Sequence, residues 1–147
     1  EQLVRYGRFP YQRLLGQPSE QDFKMVRWAI RVTGLAGFEA RPLSALSGGE
    51  RQRAWIALSL AQQAGILILD EPTAALDPRT ENALVRALHA ASANRLVIVI
   101  AHRLSTIKNA DRIVILVKGE ITDIGTHEQL ISRSDTYSKL YNAFALS

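Results

Sequence analysis

An α/β fold is predicted for this chain on three observations. Short apolar runs at Ile66–Asp70, Leu96–Ala101 and Arg112–Val117 alternate with stretches of helical periodicity. The runs lack the polar alternation of a half-wet strand, so they predict strands buried on both faces, as in a parallel sheet. Three helical stretches open on a Ser or Thr with an acidic or amide residue three positions on: Ser19 with Asp22, Ser47 with Glu50, and Thr126 with Gln129.

Residues 1–18, with Gly7, Pro10, Gly16 and Pro18, read as mostly irregular after one short helical turn. Ser19 caps a helix from Glu20 to Thr33, whose apolar positions Phe23, Met25, Val26, Ala29 and Ile30 recur at helical spacing, and Gly34 stops it. Leu35 to Ala45 is a loop. The next helix runs from the Ser47 cap to about Ala64, before Gly65, with Ala54, Ala57, Ala61 and Ala64 along a side that another element can approach closely. After the strand at Ile66–Asp70, Asp77-Pro78 is a cap followed by a first-turn proline. Leu84, Val85, Leu88 and Ala91 form the buried stripe of the helix it opens. Lys118-Gly119 is a turn leading to a hairpin strand at Glu120–Ile124; a short helix from Thr126 to about Ile131 and a last one faced by Tyr137, Leu140, Tyr141 and Phe144 complete the chain. There is no internal repeat and no low-complexity segment.

The chain has 147 residues, enough for one domain with a core. Its net charge of +4 is spread thinly along the sequence and forms no basic block, which argues against a nucleic-acid partner. With no cysteine, disulfides and thiolate metal sites are excluded. The apolar runs fall far short of the roughly 18 residues that a membrane span needs. The first residues, Glu1-Gln2-Leu3-Val4-Arg5, show neither an initiator Met nor a signal pattern and read as the start of a piece of a longer chain.

Three constellations carry chemistry. In Ile66-Leu67-Ile68-Leu69-Asp70-Glu71-Pro72-Thr73-Ala74-Ala75-Leu76-Asp77, an apolar strand ends on two adjacent carboxylates. The carboxyl ends of strands in open α/β sheets face the ligand crevice, although an isolated Asp-Glu before proline also suits a cap or turn. In Leu46-Ser47-Gly48-Gly49-Glu50-Arg51-Gln52-Arg53, two glycines stand at a helix N-terminus, where unpaired N–H groups and the helix dipole attract anions and no Cβ blocks their approach. The capped helix and the anion site are one geometry serving two purposes. His102 ends the run Val97-Ile98-Val99-Ile100-Ala101, a place where a histidine is also at home as a plain polar terminus. His89 and His127 read as surface residues and Arg51 and Arg53 as solvated flanks; Asp77 is a helix cap, with a second role open to it. No Lys follows a Gly, so the G-x-x-x-x-G-K-[ST] loop that cradles phosphates is absent from this sequence.

Together these runs resemble the ATP-binding cassette of ABC transporters: its signature motif at Leu46–Arg53, its Walker B strand with the adjoining D-loop, and its switch histidine with Arg103-Leu104-Ser105-Thr106. The resemblance implies the ABC-type P-loop NTPase core, truncated, with a parallel sheet plus a helical signature subdomain. Residues 1–65 would be that subdomain and residues 66–147 the C-terminal part of the ATPase core. It implies ATP and Mg²⁺, with Asp70 holding the metal through water and Glu71 polarising the attacking water. His102 would contact the γ-phosphate. Ser47, Gly48, Gly49 and Glu50 would close over the nucleotide of the opposite protomer, and Asp77 would reach across the dimer interface. The implied partners are a second cassette and membrane-spanning subunits, the implied location the cytoplasmic face of the membrane. Repair and chromosome-maintenance ATPases of the same superfamily carry coiled coils, and no sustained heptads occur here.

The resemblance is uneven along the chain. Gly7-Arg8-Phe9-Pro10-Tyr11-Gln12 and Arg53-Ala54-Trp55-Ile56-Ala57 look like importer cassettes for ferric siderophores, haem or vitamin B12. Ile100-Ala101-His102-Arg103-Leu104-Ser105-Thr106-Ile107 and Gly125-Thr126-His127-Glu128 look like exporter cassettes, with the join near Ala75 to Pro78. In the family the P-loop strand lies between the strand that ends at His102 and the one at Arg112–Val117, so an unfilled slot is expected there. Without a phosphate cradle the isolated chain is expected to be inactive. The alternative function is a half-cassette that supplies its signature loop in trans to a P-loop-bearing partner.

Overall fold

In the computed structural model, residues 1–12, 17–73, 76–93 and 95–145 are described. The chain divides into two compact units, Glu1–Val99 and Ile100–Ser147. Its described strands form two separate two-stranded sheets, β1–β2 and β3–β4, so β2 and β3, the strands expected to flank the slot, stand in different sheets.

The first unit begins with α1 (Gln2–Arg5), which passes directly into a 3-10 helix over Tyr6–Tyr11. This is more helix than the Gly7 and Pro10 punctuation predicts, and the reason is tertiary. Arg8 is buried and donates from Nε to Asp22 Oδ1 and from Nη1 to Ala61 O and Gln63 Oε1, each at 2.8 Å. Gly7 presses on the same neighbour: a Cβ there would lie 2.4 Å from the Leu58 carbonyl oxygen. Only a glycine lets the turn come this close to the alanine side of α3 (Gly48–Ala61).

Helix α2 (Glu20–Val32) starts on a full Ser19–Asp22 capping box, as the sequence predicts. It ends as a Schellman motif, with Gly34 at φ 67, Gly34 N–H donating to Arg31 O and Leu35 N–H to Ile30 O. Helix α3 opens on the Ser47–Glu50 box but stops at Ala61 rather than Ala64. Its last carbonyls are already taken, Ala61 O by Arg8 and Gln62 O by the Tyr11 hydroxyl, and Gln63 assumes the left-handed position at φ 51. Val26, Ala29 and Ile30 of α2 and Ala54, Ile56, Ala57, Leu60 and Ala61 of α3 join one core with Val4.

Strand β1 (Ile66–Asp70) pairs with β2 (Leu96–Ile100), and α4 (Pro78–Ser92) connects them. The Leu96 N–H donates to Gly65 O at 3.0 Å, which brings the strand starts together, as a parallel pair joined by a crossover helix requires. The expectation of two buried faces is corrected here. Leu67 and Leu69 are 6% and 9% exposed, but Ile66 and Ile68 are 59% and 64% exposed, as are large parts of Leu96, Ile98 and Ile100. One face packs into the core, and among the described residues no layer covers the other.

The second unit contains α5 (Leu104–Lys108), which the sequence reading leaves out, then β3 (Ile113–Val117), β4 (Glu120–Gly125), α6 (His127–Arg133) and α7 (Asp135–Ala145). Strands β3 and β4 are antiparallel, with Val117 opposite Glu120 and an irregularity between Ile115 and Leu116. Lys118 and Gly119, both at positive φ, form the two-residue turn whose twist matches a hairpin. Ile115, Leu130 and Tyr137 make its core, and the Thr126–Gln129 box caps α6. Strand β3 too has one dry face only, since Val114 and Leu116 are exposed. His127 is not a free surface residue. Its Nδ1 lies 2.9 Å from the Tyr137 hydroxyl, and its ring stands 5.0 Å from that of Tyr141, so it helps to seat α7.

Candidate active site

Strand β1 carries Asp70 to its exposed C-terminal end, and Glu71 begins the turn that follows. Glu71 takes φ 42, the left-handed region, immediately before Pro72. Such a conformation costs about 1–3 kcal/mol in a residue with a Cβ and persists only where the surroundings hold it. One holding contact is visible. The side-chain amide of Gln52, on the second turn of α3, donates to the Glu71 carbonyl oxygen at 3.1 Å. The structure thus ties the glycine-led helix to the carboxylate turn within one unit.

At the tip of α3, Ser47 N–H donates to Glu50 Oε2 at 2.7 Å and Glu50 N–H to Ser47 Oγ at 3.3 Å. These bonds from Ser47 hold the Glu50 carboxyl below the usual carboxylate range. Glu50 therefore serves its own helix, while Gly48 borders open space, with nothing within 4 Å of where a Cβ would stand. Asp77 caps α4: its Oδ1 accepts from Thr80 N–H at 3.1 Å and its carbonyl from Glu81 N–H at 2.9 Å. Ala74 and Ala75, between the carboxylates and this cap, lie outside the described residues.

His102 belongs to the second unit. It is exposed past the end of β2, edge-on to Phe144 of α7 with ring centroids 6.2 Å apart. Arg53 departs from its expectation as a solvated flank: it is half-buried, with Nη1 directed at the Gly34 carbonyl. Gln52 is the residue the sequence reading misses. It heads the stripe Gln52, Ile56, Leu60 at four-residue spacing, whose other two members are buried, and a polar residue in a buried stripe signals a partnered amide.

Among the described residues no cluster of three or more His, Cys, Asp or Glu could hold a metal by protein ligands alone. Magnesium does not ask for one, since it keeps several waters and binds through one or two carboxylates plus substrate phosphates. The exposed Asp70 carboxylate at the strand end fits that donor set. No described helix is long and apolar enough to cross a membrane.

The chain is similar to known proteins in sequence and in fold. The ABC transporter family model matches residues 7–74. An ATP-dependent lipid A-core flippase of Syntrophus aciditrophicus is 56% identical over 96 residues, 65% of this chain and 16% of the flippase. The ABC transporter BEA3 of Gibberella fujikuroi is 54% identical over 103 residues, 69% of this chain and 8% of that protein. A solved bacterial Atm1-family ABC exporter with ATP bound superposes with a TM-score of 0.78 at 34% identity, over 97% of this chain and 25% of the exporter. The chain thus spans about one sixth of the flippase relative, and less of BEA3.

Proposed function

We propose that this chain, which carries ATP-binding-domain sequence of an ABC transporter, couples ATP binding and hydrolysis to transport across a membrane, in a transporter of the exporter type. Support comes from one observation above others: β1 ends on the exposed Asp70-Glu71 pair in the same unit as the glycine-led tip of α3, within the stretch that matches the ABC transporter family. The relatives named above include a flippase and an exporter, so the exporter reading is preferred. The siderophore-importer likeness of the first half gains no support from them. In this reading residues 1–65 form the signature subdomain and residues 66–147 the C-terminal part of the ATPase core.

Phosphoryl transfer to water is mostly positioning plus neutralisation of charge. Asp70 would hold Mg²⁺, which when bound would neutralise phosphate charge. Glu71 accepts the proton of the attacking water, a contribution of about 10²–10⁴ in rate for a well-placed base. His102 contacts the γ-phosphate. The glycine-led tip at Ser47, Gly48 and Gly49 binds the γ-phosphate of a nucleotide held by a second cassette through the N–H groups of Gly48 and Gly49, with Glu50 fixing the helix tip and Asp77 reaching across the interface. The cassette docks on membrane-spanning subunits at the inner face of the membrane.

A second reading has its own support. With no lysine after any glycine in this sequence, the chain by itself cannot cradle phosphates, and it acts as a half-cassette offering its signature tip in trans. Sedimentation of the chain with a P-loop-bearing flippase cassette tests this. Association is expected with ATP and Mg²⁺ together and not without them. Gly48→Asp, which sets a carboxylate where the anion is to sit, is expected to abolish it. Association indifferent to nucleotide and to Gly48→Asp would contradict the role given to the tip.

A further inference from the structure

The strain at Glu71 needs a cause that outlasts thermal motion. A residue with a Cβ rarely takes φ 42, and a following proline further favours extended backbone at that position. The Gln52 amide accepts none of this strain itself; it donates to the Glu71 carbonyl oxygen at 3.1 Å and so fixes the peptide plane between Glu71 and Pro72. With the preceding peptide held at the end of β1 and this one held against α3, both backbone bonds at the Glu71 Cα are placed, and the direction of its Cα–Cβ bond follows. Gln52 in turn is seated by the stripe it heads, in which Ile56 and Leu60 are buried.

We propose that Gln52 is a positioning residue: its amide holds Glu71 in the left-handed turn, so that the tip of α3 and the carboxylate at the end of β1 move as one piece. In the function proposed above, on which this link rests, the tip faces the nucleotide of the opposite cassette and Glu71 faces that of its own. Gln52 is therefore a mechanical link between two nucleotide sites, and a displacement of the tip on closing over one phosphate is transmitted to the base of the other site. This inference rests on the reading of Glu71 as the base. Its test uses no ATP turnover, so the link and the base can fail separately.

Nuclear magnetic resonance of the isotope-labelled full chain provides the test. In the wild type, Glu71 is expected to show the strong intraresidue amide-to-Hα NOE of a left-handed residue and an order parameter near about 0.85, that of rigid backbone. Gln52→Met keeps the length and the apolar stem of the side chain but cannot donate. In that variant the strong NOE is expected to be lost and the order parameter to fall below about 0.6, the flexible range. The signals of Ile56 and Leu60 and the thermal midpoint are expected to stay where they are. Gln52→Ala is expected to give the same changes at Glu71, because the donor and not the stem holds the turn. A Glu71 that stays rigid and left-handed in either variant would overturn the proposal, as would a fall in thermal midpoint with Glu71 unmoved, the mark of a residue that only packs.

Discussion

In the helical part of the first unit, apolar side chains of α1, α2 and α3 close on one another, and the charged Arg8 inside that core is bonded to Asp22, Ala61 and Gln63. In the β1–β2 sheet of the same unit, Leu67 and Leu69 are buried while Ile66 and Ile68, equally apolar, are 59% and 64% exposed. The helices bury their core stripes against one another, since each offers one and two or three can satisfy one another. Large apolar residues off those stripes, such as Phe9 and Trp55, stay exposed. A parallel sheet has two faces and needs a layer on each. What differs is the number of partners each element requires, so the same chain can be finished in one region and open in the next.

The comparison can be broken most sharply at Arg8. Arg8→Ala removes the partner of Asp22 and frees two acceptors at the end of α3, and such a loss from a buried pair costs about 3–5 kcal/mol. Urea denaturation of the full chain measures it; a cost below about 1 kcal/mol, the range of exposed pairs, would show that the helical core does not depend on this ion. Gly7→Ala tests the close approach from the other side. A Cβ 2.4 Å from the Leu58 carbonyl forces the turn off α3, with an expected loss of about 1–3 kcal/mol in the same assay.

Acid should act on the helical region through Asp22. The Ser19 hydroxyl and the Arg8 guanidinium hold its carboxyl below the usual carboxylate range. A group depressed on folding contributes stability above its unfolded value that is lost as pH falls through the folded one. Unfolding free energy is therefore expected to decline as pH falls below about 3.8, and Asp22→Asn is expected to flatten that part of the profile. The smallest effect is expected on the open face of the sheet. Ile68→Thr should change stability by no more than about 0.5 kcal/mol, as for other exposed sites, while lowering self-association in light scattering. A large stability loss would mean that the face is covered in solution.

The capped helices were legible because their signals are local. Ser19–Asp22, Ser47–Glu50 and Thr126–Gln129 all form full capping boxes, and Gly34 ends α2 as read. The strands were legible as strands and not in their burial, since an unbroken apolar run records what a face can bury and not what lies against it. The same limit hid the early stop of α3, which depends on Arg8 and Tyr11 some fifty residues away in sequence. Of the candidate site, the tip, the carboxylate pair and the Asp77 cap could be read from spacing. Gln52 could not be read from the motif alone, because its signal lies in its place at the head of the buried Ile56–Leu60 stripe and its partner is a backbone carbonyl.

The central claim is that Glu71 is the base of an ATPase site that this chain holds only in part. It is tested most directly by adding to the full chain a separately produced polypeptide bearing a G-x-x-x-x-G-K-[ST] loop and measuring ATP turnover. Turnover is expected from the mixture and from neither piece alone, and Glu71→Gln is expected to lower it by about 10²–10⁴. Turnover in the mixture that is indifferent to Glu71→Gln would contradict the account.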